Sequence, residues 1–384
     1  MLCYTKNQSR VLSFYIHSIV FYLHQRHSMK YLNALYKIDG IGSQKLKLLI
    51  DFFGSGKKIW QASFKELLQS NLSENLAKRI DISRSKIDPD YEMQLLKKEN
   101  IQIIGFNNKN FPKLLKEIPS FPYLLYLKGD AKILNTPMMA MVGSRKFTSY
   151  GKQVALSLAK DLSSAGITIV SGMAMGIDTF SHYGTLMAGG KTIAVLGSGL
   201  DNRNIGPKQN FNLSKKIIEY GALVSDYPYG TKASNFTFPA RNRLMAGLTM
   251  GTIVVEAEEK SGTLITANLA LEYNREVFAV PGSIFSKSSQ GANNLIKKGA
   301  KLINGIQDIL EELNMQIHPN NKQIETNLSS KEKLVVKKLS QEPMRIDRII
   351  KATKLKPSVV LSILSILEIK KIIKDIGGQK YIIL

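Results

Sequence analysis

The sequence predicts an α/β protein: a doubly wound, Rossmann-like, mostly parallel sheet, with a helical domain before it and a winged-helix domain after it. Three observations carry this. Short apolar runs alternate with helical patterns from about residue 138 to residue 313. The runs are rich in β-branched residues, as strands buried on both faces are. Turns between them are short, and glycine or hydroxyl residues follow run after run, as βα units require.

Residues 1–28 are expected to lie outside the folded protein, with Met29 as the true start. Val11 to Leu23 is apolar apart from Ser13, His17 and Ser18, with basic residues before it. His24-Gln25-Arg26-His27 stands where a signal peptide would have small residues. The run is also shorter than the roughly 20 apolar residues that span a bilayer. A membrane anchor is the alternative reading.

Residues 29–88 read as a helical domain. Leu32, Leu35, Tyr36 and Ile38 share a face, Ile38-Asp39-Gly40-Ile41-Gly42 makes a turn, and a second helix runs through Leu46, Leu49 and Ile50. An apolar-x-Gly-apolar-Gly turn between short helices resembles a helix-hairpin-helix (SAM-like) arrangement, whose backbone N–H groups can hold a phosphate. A bundle turn that touches nothing is the other reading. Residues 89–137 lead into the sheet, with short strands at 101–104 and 123–127 punctuated by Pro112, Pro119 and Pro122.

Within 89–313 the strands of the main sheet are expected at 138–142, 167–170, 192–196, 222–224, 252–255, 277–280 and 301–303. Helices are expected near 150–165, 178–188, 209–220, 240–248, 264–273, 290–298 and 305–313. Residues 314–330 hold Pro319 and four asparagines and read as a linker. From 331 to 384, three helical patterns precede an apolar strand pair with Gly377-Gly378 at its turn, the order of a winged helix. This segment has 13 Lys+Arg against 5 Asp+Glu. Its third helix is crowded with apolar residues (Leu361, Ile363, Leu364, Ile366, Leu367), which leaves DNA contact and protein contact both open.

The chain carries 53 Lys+Arg against 30 Asp+Glu, a net charge of +23. Such an excess suits a polyanionic partner, nucleic acid first; a proteome-wide lysine bias is the bland account. Cys3 is the sole cysteine, so a disulfide framework and a cysteine zinc site are excluded. The five histidines show no metal-ligand spacing. The expectation is a cytoplasmic protein without cofactor or metal.

Two common nucleotide signatures are missing. No G-x-G-x-x-G follows the first main strand, and Gly190-Lys191-Thr192 lacks the partner glycine of a P-loop because Thr185 holds that place. What recurs instead is a turn at the carboxyl end of successive strands: Gly143-Ser144-Arg145, Ser171-Gly172, Gly197-Ser198-Gly199, Ser261-Gly262-Thr263 and Pro281-Gly282-Ser283. Ligands bind along that edge of an open α/β sheet, and such turns present N–H groups to anions. Arg145, Lys208, Lys232, Arg241 and Arg243 are the candidate cations there. Phe236 and Phe238, just before Pro239-Ala240-Arg241-Asn242-Arg243, offer flat faces to unpaired bases. Asp178 is placed as a helix N-cap, and Glu256 is the one candidate general acid or base.

Six ordered motifs together resemble the DprA/Smf family of bacterial DNA processing proteins. They are Gly143-Ser144-Arg145 with Ser149-Tyr150-Gly151; Ser171-Gly172-Met173-Ala174-Met175-Gly176-Ile177-Asp178; Ala194 to Asp201; Phe238 to Arg243; Val254-Val255-Glu256-Ala257 with Ser261 to Ala267; and Glu276 to Gly282. The resemblance covers about 30–384. It implies an extended Rossmann-like domain, usually dimeric, that binds and protects single-stranded DNA and passes it to the RecA recombinase during natural transformation. It also implies that the protein does not transform its ligand. By motif match, Gly143, Ser144 and Arg145 would hold a backbone phosphate, with Arg241, Asn242 and Arg243 nearby, Ser171, Gly172 and the 261–263 turn alongside, and Lys208 and Lys232 in adjoining loops. The loop after Asp201 departs from the family's Tyr-Pro pair and reads Ile205-Gly206-Pro207-Lys208. Two other classes compete: a nucleotide N-glycosidic hydrolase acting through Glu256, and an adaptor whose DNA affinity is bulk charge alone.

Overall fold

Alternation along the strands decides the layering of this protein. The computed structural model describes residues 29–315, 328–339, 344–369, 372–375 and 377–383. The segment 1–28 and most of the expected linker lie outside the described residues. The chain divides into two compact units, 1–317 and 318–384.

The first unit begins with α1 (29–36), α2 (Ser43–Phe53), α3 (Gly56–Gln61), α4 (Phe64–Gln69), α5 (Glu74–Arg84) and α6 (Pro89–Lys98). Ser55, Ser63, Ser73 and Asp88 cap α3 to α6 through their side chains, each satisfying an orphan N–H of a first turn. The strands follow: β1 (Gln102–Gly105), β2 (Leu124–Gly129), β3 (Met138–Val142), β4 (Thr168–Ser171), β5 (Thr192–Val195), β6 (Ala222–Ser225), β7 (Gly251–Val254), β8 (Glu276–Ala279) and β9 (Lys301–Leu302). Between them lie α7 (Lys113–Lys116), α8 (Ser149–Ser164), α9 (Ile177–Met187), α10 (Phe211–Tyr220), α11 (Thr237–Leu248), α12 (Thr263–Glu272) and α13 (Lys287–Lys297), with α14 (Ile306–Glu312) last.

Strand order is β1-β2-β6-β5-β4-β3-β7-β8-β9. Strands β6 to β9 along that row pair in parallel, and β1 and β2 add an antiparallel margin beside β6. The two lead-in strands are therefore part of the sheet. Order reverses at β3, whose neighbours are β4 and β7, so the switch point lies between β3 and β7.

Met138, Val142, Ile193, Val195, Val254 and Val277 face one side, against α7, α11, α12 and α13. Met139, Met141, Ile253 and Phe278 face the other, against α8 and α14. On that side, nearer β6, Tyr126, Ala194 and Leu223 join the apolar faces of α1 to α5 and α10. The N-terminal helices thus share one core with the sheet.

Helix α11 starts at Thr237, three residues ahead of the sequence expectation. Pro239 falls in the first turn, where its missing N–H has no intrahelical acceptor to lose. Asp178 is not the cap of α9: Gly176 holds that place at φ 91, and Asp178 sits inside the first turn.

The second unit contains α15 (Ser330–Lys338), α16 (Ile346–Thr353), α17 (Pro357–Ile369) and a sheet of β10 (Met344–Arg345), β12 (Lys380–Ile383) and β11 (Ile373–Asp375). Val335, Ile349, Val360, Leu364 and Leu367 form its core. Gly377 and Gly378 turn the β11–β12 wing at positive φ. This is a winged helix. Among the described residues no helix is long and apolar enough to cross a membrane.

Candidate functional site

At the carboxyl ends of β3 and β7 the sheet opens into a cavity of about 430 Å³. Its walls come from the turn after β3 (Gly143 to Lys146), the start of α9, the first half of α11, and the turn that opens α12 (Ser261 to Thr263).

The β3 turn is held by its own backbone. Ser144 N donates to Glu256 O (2.8 Å), Ile177 N donates to Ser144 O (3.2 Å), and the Ser144 hydroxyl donates to Lys146 O (2.8 Å). The Ser144 donors are therefore spent on shaping the turn. Gly176 is needed beside it: a Cβ there would lie 2.3 Å from Ser144 O, on a backbone already at positive φ. Arg145 projects out of this turn, exposed, with its guanidinium 5.5 Å from the centroid of the Phe238 ring. It makes no hydrogen bond or salt bridge among the described residues.

Arg241 forms the floor. It is 5 % exposed, and its Nη1 donates to Gly172 O (2.9 Å) and to Val195 O, which joins the ends of β4 and β5. Burial lowers its pKa to about 10, Asp178 opposing that shift, so it stays cationic at neutral pH. Gly172 leaves the room: a Cβ there would fall 2.6 Å from the guanidinium. Asp178 Oδ2 accepts from Gly172 N (3.1 Å) and Ala174 N (3.3 Å), while burial pushes its pKa up against the pull of Arg241.

The α12 turn supplies the other wall. Ser261 Oγ accepts from Thr263 N (3.2 Å), and Gly262 caps the helix without a side chain. No acidic residue occupies the first turn of α11 or α12. The positive end of α12 therefore faces the cavity, with Glu258 the carboxylate at its rim besides Asp178.

Of the residues singled out in the sequence, Gly143, Ser144, Arg145, Arg241, Asn242, Ser261, Gly262 and Thr263 come together here. Ser171 and Gly172 lie behind the wall, Ser171 Oγ donating to Met141 O (2.7 Å). Lys208, on the loop after β5, and Lys232 and Phe236, on the loop after β6, are exposed and outside the cavity lining. Arg243 is not brought in. Two residues beyond Arg241 on α11, it points about 200° round the helix. There it pairs with Asp226 and donates to Ser120 O (2.6 Å). Asn235 and Lys146 line the cavity and were not anticipated; Lys146 adjoins Arg145, and Asn235 lies in the polar run before α11.

Glu256 is 2 % exposed and turned away from the cavity. Its carboxylate accepts from Thr148 N (3.0 Å) and from the Thr148 hydroxyl, at the N-terminus of α8.

Residues 102–314 match the family model for DNA recombination-mediator protein A, and residues 319–379 match the DprA winged helix domain. The chain is 43% identical to the DNA processing protein DprA of Bacillus subtilis over 56% of this chain and 73% of that one. It is 32% identical to the Protein Smf of Synechocystis over 90% of this chain and 96% of that one. Among solved structures, DprA of Streptococcus pneumoniae matches with TM-score 0.65 at 35% identity, covering 75% of this chain and 99% of that one. DprA of Helicobacter pylori, studied for its single-stranded DNA binding mode, matches with TM-score 0.50 at 33% identity, covering 56% of this chain and 95% of that one.

Proposed function

Because this chain belongs to the DprA/Smf family of DNA processing proteins, we propose that it binds single-stranded DNA at the β3–β7 cavity and protects it. In this reading it then delivers the strand to the RecA recombinase during transformation or recombination, working as a homodimer in the cytoplasm. The observation that carries the DNA reading is Arg145: an exposed guanidinium at the lip of a cavity with a buried cation for a floor and a helix N-terminus for a wall. A phosphodiester seated there meets a fork of donors and two further sources of positive potential. The neighbouring Phe236 and Phe238 suit unpaired bases, which have free faces, over a duplex.

The hydrolase reading needs a carboxylate in reach of a bound ligand. Glu256 is committed to Thr148 and faces away, so the binding reading is favoured. Fluorescence anisotropy with a labelled oligo-dT and a matched duplex, across a salt series, tests it. Preference for the single strand that persists at moderate salt supports the proposal. Equal affinity for both, falling steeply with salt, would reduce the interaction to bulk charge.

A further inference from the structure

Among the described residues of this unit two aromatic side chains stand nearly free in solvent, and they flank the cavity. Phe236 is 88 % exposed just ahead of α11, on the β6 side. Phe285 is 92 % exposed in the turn between β8 and α13, on the other side, with Ile284 beside it at 76 %. The Phe285 turn is not loose. Gly282 N donates to Asn293 Oδ1 (3.2 Å), Asn293 Nδ2 returns a bond to Gly282 O (3.0 Å), and Ser286 N donates to Ser283 O (3.0 Å). Tyr150 Oη donates to Pro281 O (2.9 Å), tying the turn to α8. Gly291 N donates to Ala257 O (2.8 Å), tying α13 to the loop that leads into the cavity wall. A pinned turn that holds an aromatic ring out into water is a contact surface.

We propose that Phe285, with Ile284, is a base-stacking platform for single-stranded nucleic acid, one strand position outward from the phosphate cavity; this rests on the binding reading above. Bases need a flat face, and the backbone between them needs cations. Lys260 and Lys287 are exposed on the adjoining loop and at the start of α13. A protein partner fits less well. Two apolar side chains edged by Ser283, Ser286 and Lys287 fall far short of the roughly 800 Å² per side of a stable interface. A strand crossing the sheet edge would then meet Phe236, the cavity and Phe285 in turn.

The test uses the full chain with Phe285→Ala, Phe285→Leu and Phe285→Trp, each checked for wild-type circular dichroism. Anisotropy with long oligo-dT should show Phe285→Ala weaker by about 5- to 100-fold, Phe285→Leu weaker to a lesser degree, and Phe285→Trp near wild type. The emission of the Phe285→Trp protein, less that of Trp60 in the wild type, should be quenched on binding. Wild-type binding with Phe285→Ala unchanged would overturn the platform and leave the cavity reading standing. Wild type that binds no single strand would overturn the function itself. Phe285→Ala that alters molecular mass by light scattering, with no change in DNA affinity, would make the turn a contact between copies and also overturn the platform.

Discussion

The guanidinium of Arg145 rests over the ring of Phe238, 5.5 Å from its centroid, and makes no salt bridge among the described residues. Contact with the ring limits where the cation can point while leaving its donors free. In the proposed function, that arrangement would aim Arg145 at a backbone phosphate.

Arg145→Ala should weaken oligo-dT binding about 10- to 150-fold, the worth of a charge-assisted hydrogen-bonded contact. It should also reduce the slope of log affinity against log salt by about 0.7, one phosphate on a single strand. Arg145→Lys should recover the salt slope and only part of the affinity, because the fork is lost. Anisotropy at several salt concentrations measures both.

Arg241→Met should act on the fold. The carbonyls of Gly172 and Val195 would lose their donor, and buried Asp178 would lose its nearby cation. A loss of about 2–5 kcal/mol is expected in urea unfolding. Loss of DNA binding without loss of stability would show instead that Arg241 serves the ligand alone.

Glu256→Gln should destabilise by about 1–3 kcal/mol, because the α8 N-terminus loses its anion and one carboxylate acceptor is exchanged for an amide donor facing Thr148 N. Affinity for oligo-dT should hold where the protein is folded. A nucleotide-hydrolysing activity present in wild type and abolished in Glu256→Gln would revive the enzymatic reading.

His182 provides a pH signature. Its Nδ1 shares a hydrogen bond with Thr192 Oγ1 (2.7 Å), whose own proton goes to Ile169 O, so Nδ1 carries the ring proton. Nε2 is buried without a partner among the described residues, and burial pushes the imidazole pKa down to about 3 from 6.5. A depressed histidine is neutral in the fold and takes up a proton on unfolding, so its stabilising contribution is complete above pH 6.5 and is lost as pH falls towards 3. Between pH 7 and pH 5 the loss is about 2 kcal/mol. Asp178 and Asp226, raised by burial, slope the other way. The difference between wild type and His182→Gln in urea midpoint against pH isolates the histidine.

Deleting 318–384 should leave a single cooperative unfolding transition and oligo-dT binding within about threefold, since the two compact units have separate cores. Loss of the transition would place the winged helix inside the first unit's stability.

The strands were legible because each is a short apolar run bounded by glycine or polar residues. Met138–Val142 and its successors sit within a residue or two of their expected places. The antiparallel margin was not legible: pairing of β2 with β6 depends on a contact between residues about a hundred apart, and no local pattern records it. In the site, Arg145 could be read because a βα turn exposes its residues. Arg241 and Arg243 looked alike in sequence, and helical rotation sends one under the cavity and the other to Asp226. Glu256 looked available because burial and the Thr148 contact leave no mark in composition.

The β2–β6 pairing also orders events on the ribosome. Tyr126 faces Ser225 in that ladder, so the N-terminal helices and β2 emerge long before the strand that completes their sheet. At about 5–20 residues per second, roughly 5–20 s separate the two strands. For that interval Leu125 and Leu127, bound for the interior, have β1 alongside but not β6. The nascent N-terminal half therefore carries the margin unpaired on its β6 side until β6 arrives.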